Sequence, residues 1–283
     1  MKTLWVLENI KEDRSFYYRF DLSMMFASVI QWKKHHPTHT CELHADTLTQ
    51  DVFKELGTLK LWDSVKTVGK NSAIDKSTFW ASAKLQALRH ITEPVIIIDN
   101  DFVVYESFDK FIKVKPIVCH DEDGKDYYIG PLDPYVKKVK HIINRPQLKA
   151  VNCSFLYLPH HKFTQHYAEL SLQLMEEFTK LKVPNSKYLI YAEQLLLKHL
   201  FTLHNIEYET LLDTVYDCVR NVYTTKIEGH IKVEHQNKYF RHYWMDKPKI
   251  RESRDGFNMG NEINQLDNVI NNHILIDWTI LDA

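Results

Sequence analysis

Glycine is scarce in this chain: 7 in 283 residues, with neither a G-x-G-x-x-G nor a G-x-x-x-x-G-K-[ST] arrangement. The loops that cradle phosphates with backbone N–H groups need such glycines, so ordinary dinucleotide enzymes and P-loop kinases are disfavoured. Cysteine is sparse too. Cys41, Cys119, Cys153 and Cys218 show no paired short spacing, and three sit in apolar stretches, which fits buried free thiols rather than disulfides or a zinc site. No uninterrupted apolar run approaches the roughly 18 residues of a membrane helix. The apolar run near Leu4 is soon broken by charge and is too short for a secretory leader. A cytoplasmic protein without a transmembrane segment is therefore expected. Net charge is lacking as well: 36 basic against 37 acidic side chains give −1, so no global field recruits nucleic acid or an anionic membrane. With no internal repeat, low-complexity segment or Gly/Ser linker, one domain over 1–283 is the economical expectation.

What is present is an ordinary globular composition, 44% apolar and 26% charged, in a chain long enough to bury a substantial core. The first hundred residues alternate strand and helix patterns. Strands are expected at 4–7, 41–45, 64–68 and 94–98. Helices are expected at 22–32, 49–56 (closed by Gly57 as a left-handed cap) and 79–91. The all-apolar stretch before Asp99 is of the kind buried on both faces of a parallel sheet. Strand and helix at this spacing predict an α/β fold with a doubly wound, mostly parallel sheet and right-handed crossovers. Beyond Glu106 the pattern predicts a strand at 116–120, a polar hairpin tip at 121–128 and an irregular basic stretch at 131–149. A strand at 151–158 and helices over 163–181 and 188–204 follow. From Gly229 onward the chain is aromatic, polar and without clear periodicity.

The strongest local signal is Ile96-Ile97-Ile98-Asp99-Asn100-Asp101. A buried strand there delivers two carboxylates, one residue apart, to the carboxyl edge of the sheet, where α/β proteins bind ligands. A hard cation such as Mg²⁺ or Mn²⁺ takes one or two carboxylates together with phosphate oxygens and neutralises charge on a diphosphate leaving group. Asp-Asn-Asp is also turn chemistry, in which the side chains bond nearby backbone.

The segment from Phe79 to Leu88, followed by Pro94 through Asp101, resembles the helix-then-DxD segment of GT-A glycosyltransferases, closest to the glycogenin-like and related nucleotide-diphospho-sugar transferase families. Three further segments follow in the family's order. Asn152-Cys153-Ser154 is similar to an N-x-G strand lining the sugar and acceptor pocket, with Ser154 in place of glycine. Ala192-Glu193-Gln194 is similar to a D-Q-x-x-L helix start. The stretch from His242 to Pro248 is similar to H-x-x-G-x-x-K-P, one residue short and with Met245 in place of glycine. The resemblance runs over roughly residues 2–250. It implies a GT-A fold in which 1–106 binds the nucleotide sugar, while 107–283 binds the acceptor and supplies a late metal and phosphate segment. It implies Mn²⁺ or Mg²⁺ on Asp99, Asp101 and His242, a UDP-sugar donor, and Lys247 on the phosphates. Catalysis is expected from Asp101 and Glu193, the latter as the only base candidate; stereochemistry stays open.

Each further candidate has a plainer reading. Lys84 faces the donor diphosphate or is a solvated helix lysine. Trp80 stacks on the base or belongs to the core. Asp46 binds ribose or uracil, or caps the helix that follows. Asn100, Asn152 and Gln194 contact sugar or acceptor, or are turn and helix residues. The cations Lys137, Lys138, Lys140, Arg145 and Lys149 hold a polyanionic acceptor or form a solvated charge run. A leaderless transferase with such a stretch would glycosylate a hydroxymethylated DNA base, as some bacteriophage enzymes do, or a glycan. Two other classes remain open: a nucleotide-sugar-like binding or scaffold module without chemistry, and a metal-dependent nucleotidyltransferase.

Overall fold

In the computed structural model, residues 1–69, 71–124, 128–130, 132–143, 149–243 and 260–282 are described. The strands are β1 (Lys2–Leu7), β2 (Thr40–Ala45), β3 (Ser64–Thr67), β4 (Val95–Ile98), β5 (Phe102–Val104), β6 (Ile117–Val118), β7 (Asp121–Asp123), β8 (Lys149–Val151), β9 (Phe155–Leu158), β10 (Glu209–Thr210), β11 (Thr214–Asp217), β12 (Val222–Lys226) and β13 (Phe240–His242). The helices are α1 (Arg19–His35), α2 (Thr47–Glu55), α3 (Ser82–Arg89), α4 (Pro134–Lys138), α5 (His161–Lys180), α6 (Lys187–Ile190), α7 (Leu196–Leu203), α8 (Gln236–Tyr239) and α9 (Gly260–Asn271).

Seven strands form the central sheet in the order β10-β6-β9-β4-β1-β2-β3. β3, β2, β1 and β4 pair in parallel, β10 pairs parallel to β6, and β9 runs antiparallel to both β4 and β6. The fold is thus α/β with a mostly parallel sheet flanked by helices. The strands read as apolar throughout because both faces are covered. On β4, Val95 and Ile97 enter the core beside α3, α5, α6 and α7, while Ile96 and Ile98 enter the core beside α1 and α2. The same alternation divides Leu156 and Leu158 from Phe155 and Tyr157 on β9. Each fully buried side chain of this size contributes roughly 1.5–3 kcal/mol.

Two smaller sheets carry the functional edge. β12-β11-β7-β8 form one, and β13 pairs antiparallel with β5 in the other. Asp121–Asp123, the start of the stretch 121–128 expected as a polar hairpin tip, form β7 instead, inside the four-stranded sheet; residues 125–127 lie outside the described residues. The charges of β7 tolerate burial because they are partnered: Lys198 lies 3.2 Å from Asp121, and Glu122 meets His120, Tyr128 and Asn152. The single strand expected at 151–158 is two, β8 and β9, which belong to different sheets. The break falls where Asn152 Oδ1 accepts from Ser154 N and Oγ, a local bond that competes with the ladder. The helix expected from Phe79 starts at Ser82; Phe79 and Trp80 lie in the preceding turn. Gly57, at φ 68°, closes α2 as expected.

Candidate metal and substrate site

The buried strand β4 ends at Ile98, and the chain then turns through Asp99-Asn100-Asp101 into β5. Asp99 N donates to Ser154 O at 2.8 Å, and Phe102 N donates to Asp99 O at 3.0 Å, so backbone bonds fix the turn. Pairing of β5 with β13 sets His242 opposite Phe102, and Tyr243 N donates to Asp101 O at 3.0 Å. His242 therefore reaches the turn from a strand far along the chain. Its Nε2 lies 3.6 Å from Asp101 Oδ1. Ligand-capable atoms of Asp99, Asp101 and His242 lie within 4.8 Å of one another.

On the other side of Asp99 stands Lys84 of α3. Its Nζ is 2.8 Å from Asp99 Oδ1 and 2.9 Å from Glu193 Oε1, and donates to Cys153 O at 3.2 Å. Burial opposes the ammonium charge, but the two carboxylates outweigh it and hold Lys84 above its ordinary range. Burial, with Asp99 and Glu122 nearby, pushes the Glu193 carboxyl up, against the pull of Lys84. Glu193 sits in a π-turn (Tyr191–Leu195) between α6 and α7, the kind of helix irregularity often found at functional sites.

These groups line one cavity of about 1000 Å³, at the upper end of the roughly 300–1,000 Å³ usual for small-molecule sites. Asn100, Asn152, Gln194 and Trp80 line it as well. Asn100 Nδ2 donates to Val6 O at 2.9 Å, leaving its buried Oδ1 without a partner among the described residues. Trp80 is 53% exposed, so it is not a core residue. Lys84 is not a solvated helix lysine.

Asp46 stands apart from this group. Its side chain accepts from Asn9 N at 2.7 Å and from Thr49 N at 3.0 Å, so it caps α2 and ties down the chain after β1; it does not line the cavity. The ribose or uracil role is withdrawn in favour of the cap. Lys137, Lys138, Lys140 and Lys149 are exposed and also away from the cavity lining. Lys247 and Arg145 lie outside the described residues.

The donor set suits a hard divalent cation. It offers carboxylate oxygens and one imidazole nitrogen, and no sulfur. Asp99 and Glu193 share Lys84, while Asp101 faces His242, so the site gathers three carboxylates with one lysine beside two of them. That charge is what a divalent ion would balance.

Sequence reasoning missed Glu122, whose side chain is buried yet lines the same cavity. Behind it stands His120, Nε2 3.4 Å from Glu122 Oε1. Burial works against the imidazolium, but Cys119 and Glu122 outweigh it and push His120 up to about 10. Burial likewise pushes the Glu122 carboxyl up; His120, Tyr128 and Asn152 outweigh it and hold it below the usual value. The run Asp121-Glu122-Asp123 carries no alternation that would mark its middle member as buried.

A family profile described as "Family of unknown function (DUF6734)" matches residues 1–253. The chain belongs to this family. No curated protein matches it. Among solved structures, the galactosyltransferase LgtC in complex with donor and acceptor sugar analogs is similar at 10% identity and a TM-score of 0.41, covering 68% of this chain and 70% of that one. An active-site mutant of LgtC is similar at 11% identity and the same TM-score, covering 68% and 69%. A score of 0.41 is too low to carry weight beside the sheet order and the cavity. Among the described residues no helix is long and apolar enough to cross a membrane.

Proposed function

We propose that this member of the family is a metal-dependent glycosyltransferase of the GT-A kind, moving a sugar from a nucleoside diphosphate to an acceptor hydroxyl. The carrying observation is the convergence of Asp99, Asp101 and His242 within 4.8 Å at the carboxyl end of β4, on the wall of a cavity large enough for two substrates. In this reading residues 1–283 act as one domain, and a UDP-sugar is the donor.

Asp99, Asp101 and His242 would hold Mn²⁺ or Mg²⁺, which supplies charge neutralisation to the departing diphosphate. The acceptor oxygen forms the new bond to the anomeric carbon, the bond from that carbon to the nucleoside diphosphate breaks, and the hydroxyl proton passes to a base. Glu193 is the base in this reading if the reaction inverts, and it is supported by burial, which raises its affinity for a proton against the pull of Lys84. Lys84 aligns Glu193 with Asp99 and offers its charge to the phosphates. Trp80 presents an exposed ring to the base. Asn100, Asn152 and Gln194 supply hydrogen bonds to sugar or acceptor, and Lys247 supports the phosphates.

The test is incubation with UDP-glucose and UDP-galactose in the presence and absence of Mn²⁺. Slow, metal-dependent release of UDP is expected, and Asp101→Ala should lower both Mn²⁺ affinity and turnover by about 100-fold or more. The backbone bonds that Asp101 makes survive this change, so circular dichroism should show an intact fold. Release of sugar 1-phosphate instead of UDP, with the uridylyl group passing to an acceptor, would point to a nucleotidyltransferase, and full turnover in Asp101→Ala would reject the metal assignment.

A further inference from the structure

In a chain whose charges nearly cancel, one long stretch is without acid: residues 134–168 contain no Asp or Glu, against five lysines and one arginine. Three of those lysines fall together on α4 and the turn after it. The segment is anchored by its inner face, where Val136, Val139 and Ile143 are buried in the core. Lys137, Lys138 and Lys140 are therefore exposed on a fixed support. Leu132, just ahead of the helix, is 79% exposed.

The nearest acid along the chain does not answer these charges. Asp133 faces the helix start, where its side chain accepts from Tyr135 N at 2.8 Å, Val136 N at 3.0 Å and Tyr188 OH at 3.0 Å. Among the described residues Lys137 and Lys140 enter no ion pair, and Lys138 lies 5.7 Å from the ring centre of Tyr135. By contrast Lys33, Lys66, Lys115 and Lys180 each pair with a carboxylate. Lys149 is set apart from the three, because β8 places it opposite Asp123.

Unpaired ammonium groups beside an exposed apolar side chain suit an anionic bilayer. The cations sit among headgroup phosphates, and the leucine enters the boundary between headgroups and acyl chains. A nucleic acid would satisfy the lysines and leave the leucine in water. Tyr135 does not offer a stacking face for bases either: it is half-buried and meets the Tyr188 ring at 81°. The same Tyr135–Tyr188 contact packs α4 on α6, and Ser186, Leu189 and Ile190 line the cavity from that side. We propose that Leu132, Lys137, Lys138 and Lys140 form a docking surface for an anionic lipid bilayer, bringing the α6 side of the cavity to the membrane. This does not depend on which reaction the cavity performs.

The test uses the full chain and sucrose-loaded vesicles, of phosphatidylcholine alone or with about one third phosphatidylglycerol. Sedimentation with the anionic vesicles and not with the neutral ones is expected, weakening as salt rises. Lys137→Gln, Lys138→Gln and Lys140→Gln combined should lower the partition coefficient roughly 5-fold per lysine, on the order of 100-fold in all. Leu132→Ser should lower it about 10-fold, at low and high salt alike. Removing three exposed lysines elsewhere, by Lys60→Gln, Lys232→Gln and Lys238→Gln, should change it far less. All of these side chains are exposed, so melting curves should match wild type. Failure to sediment with anionic vesicles overturns the proposal, as does an equal loss from the two triple variants, which would mean unspecific charge. Leu132→Ser binding like wild type overturns it too, since the lysines alone do not single out a bilayer. Tighter binding to duplex DNA than to the vesicles, lost in the first triple variant, overturns it in favour of nucleic acid.

Discussion

Glu122 and His120 form an ion pair with both partners out of water, an arrangement that costs heavily when either charge is left alone. Their protonation ties stability to pH in opposite directions. His120 binds its proton more tightly in the fold, up to about 10 against 6.5. Its contribution is therefore complete below pH 6.5 and is lost as pH rises toward 10. Glu122 is held below its ordinary 4.5, so its contribution is present above that value and lost as pH falls through the lower, folded one. Wild type should thus exceed Glu122→Gln in melting temperature most clearly near pH 5–6.5, and the gap should close toward pH 10. Melting curves of the two proteins across that range check it; a gap independent of pH would mean that His120 is not charged in the fold.

At the scale of elements, Asp46 ties the first turn of α2 to the chain after β1, beside the Arg14–Glu55 pair and the Tyr17–Thr49 hydrogen bond. One carboxylate accepts from Thr49 N and Oγ1 in the first turn of α2 and from the N–H of Asn9, so its removal leaves three donors short. Asp46→Ala should cost about 1–2 kcal/mol, read as a lowered denaturation midpoint. UDP affinity in the presence of Mn²⁺ should be unaffected, since Asp46 does not line the cavity. A loss of UDP affinity in a stable variant would restore the ribose reading. The same residue shows where sequence is legible and where it is not. Helices and strands that carry their own periodicity, from β1 through β3, at β4 and again at α5, lie where the apolar spacing puts them, because each buries a face that its own residues specify. Asp46 at the end of a strand satisfies two patterns at once, and only its partners decide between them. β7 and the β8–β9 break were illegible for a related reason. Polar residues become interior when partners neutralise them, and Asn152 and Lys198, 30 and 77 residues further along, are not visible as partners along the chain. Asp99 and Asp101 could be read from the strand that precedes them. The approach of His242 depends on the pairing of β5 with β13, which no local pattern announces.

Over the whole molecule, the cavity is a joint product of distant segments. Glu8, Tyr17, Lys84 and Asp99 come from the first hundred residues, and Glu122, Asn152, Glu193 and His242 from the rest. A ligand that touches all of these can bind only the folded chain, since unfolding scatters its contacts, and it must then raise stability by mass action. At free ligand 100 times its dissociation constant, the gain is about 2.7 kcal/mol, which for a domain of this size is a rise of roughly 5 °C or more in melting temperature. Nucleotide and cation should not act separately. Asp99 and Glu193 share Lys84 and Asp101 faces His242, so a diphosphate entering without a cation meets carboxylates, and a cation entering without phosphate lacks half its oxygen ligands. UDP with Mn²⁺ at millimolar concentration should therefore shift the melting temperature by more than the sum of the two added alone, and the excess should vanish in Asp101→Ala. A purely additive shift would mean that cation and nucleotide do not meet at the Asp99–Asp101 turn. In that case the cavity would have to be read as serving a ligand without a diphosphate.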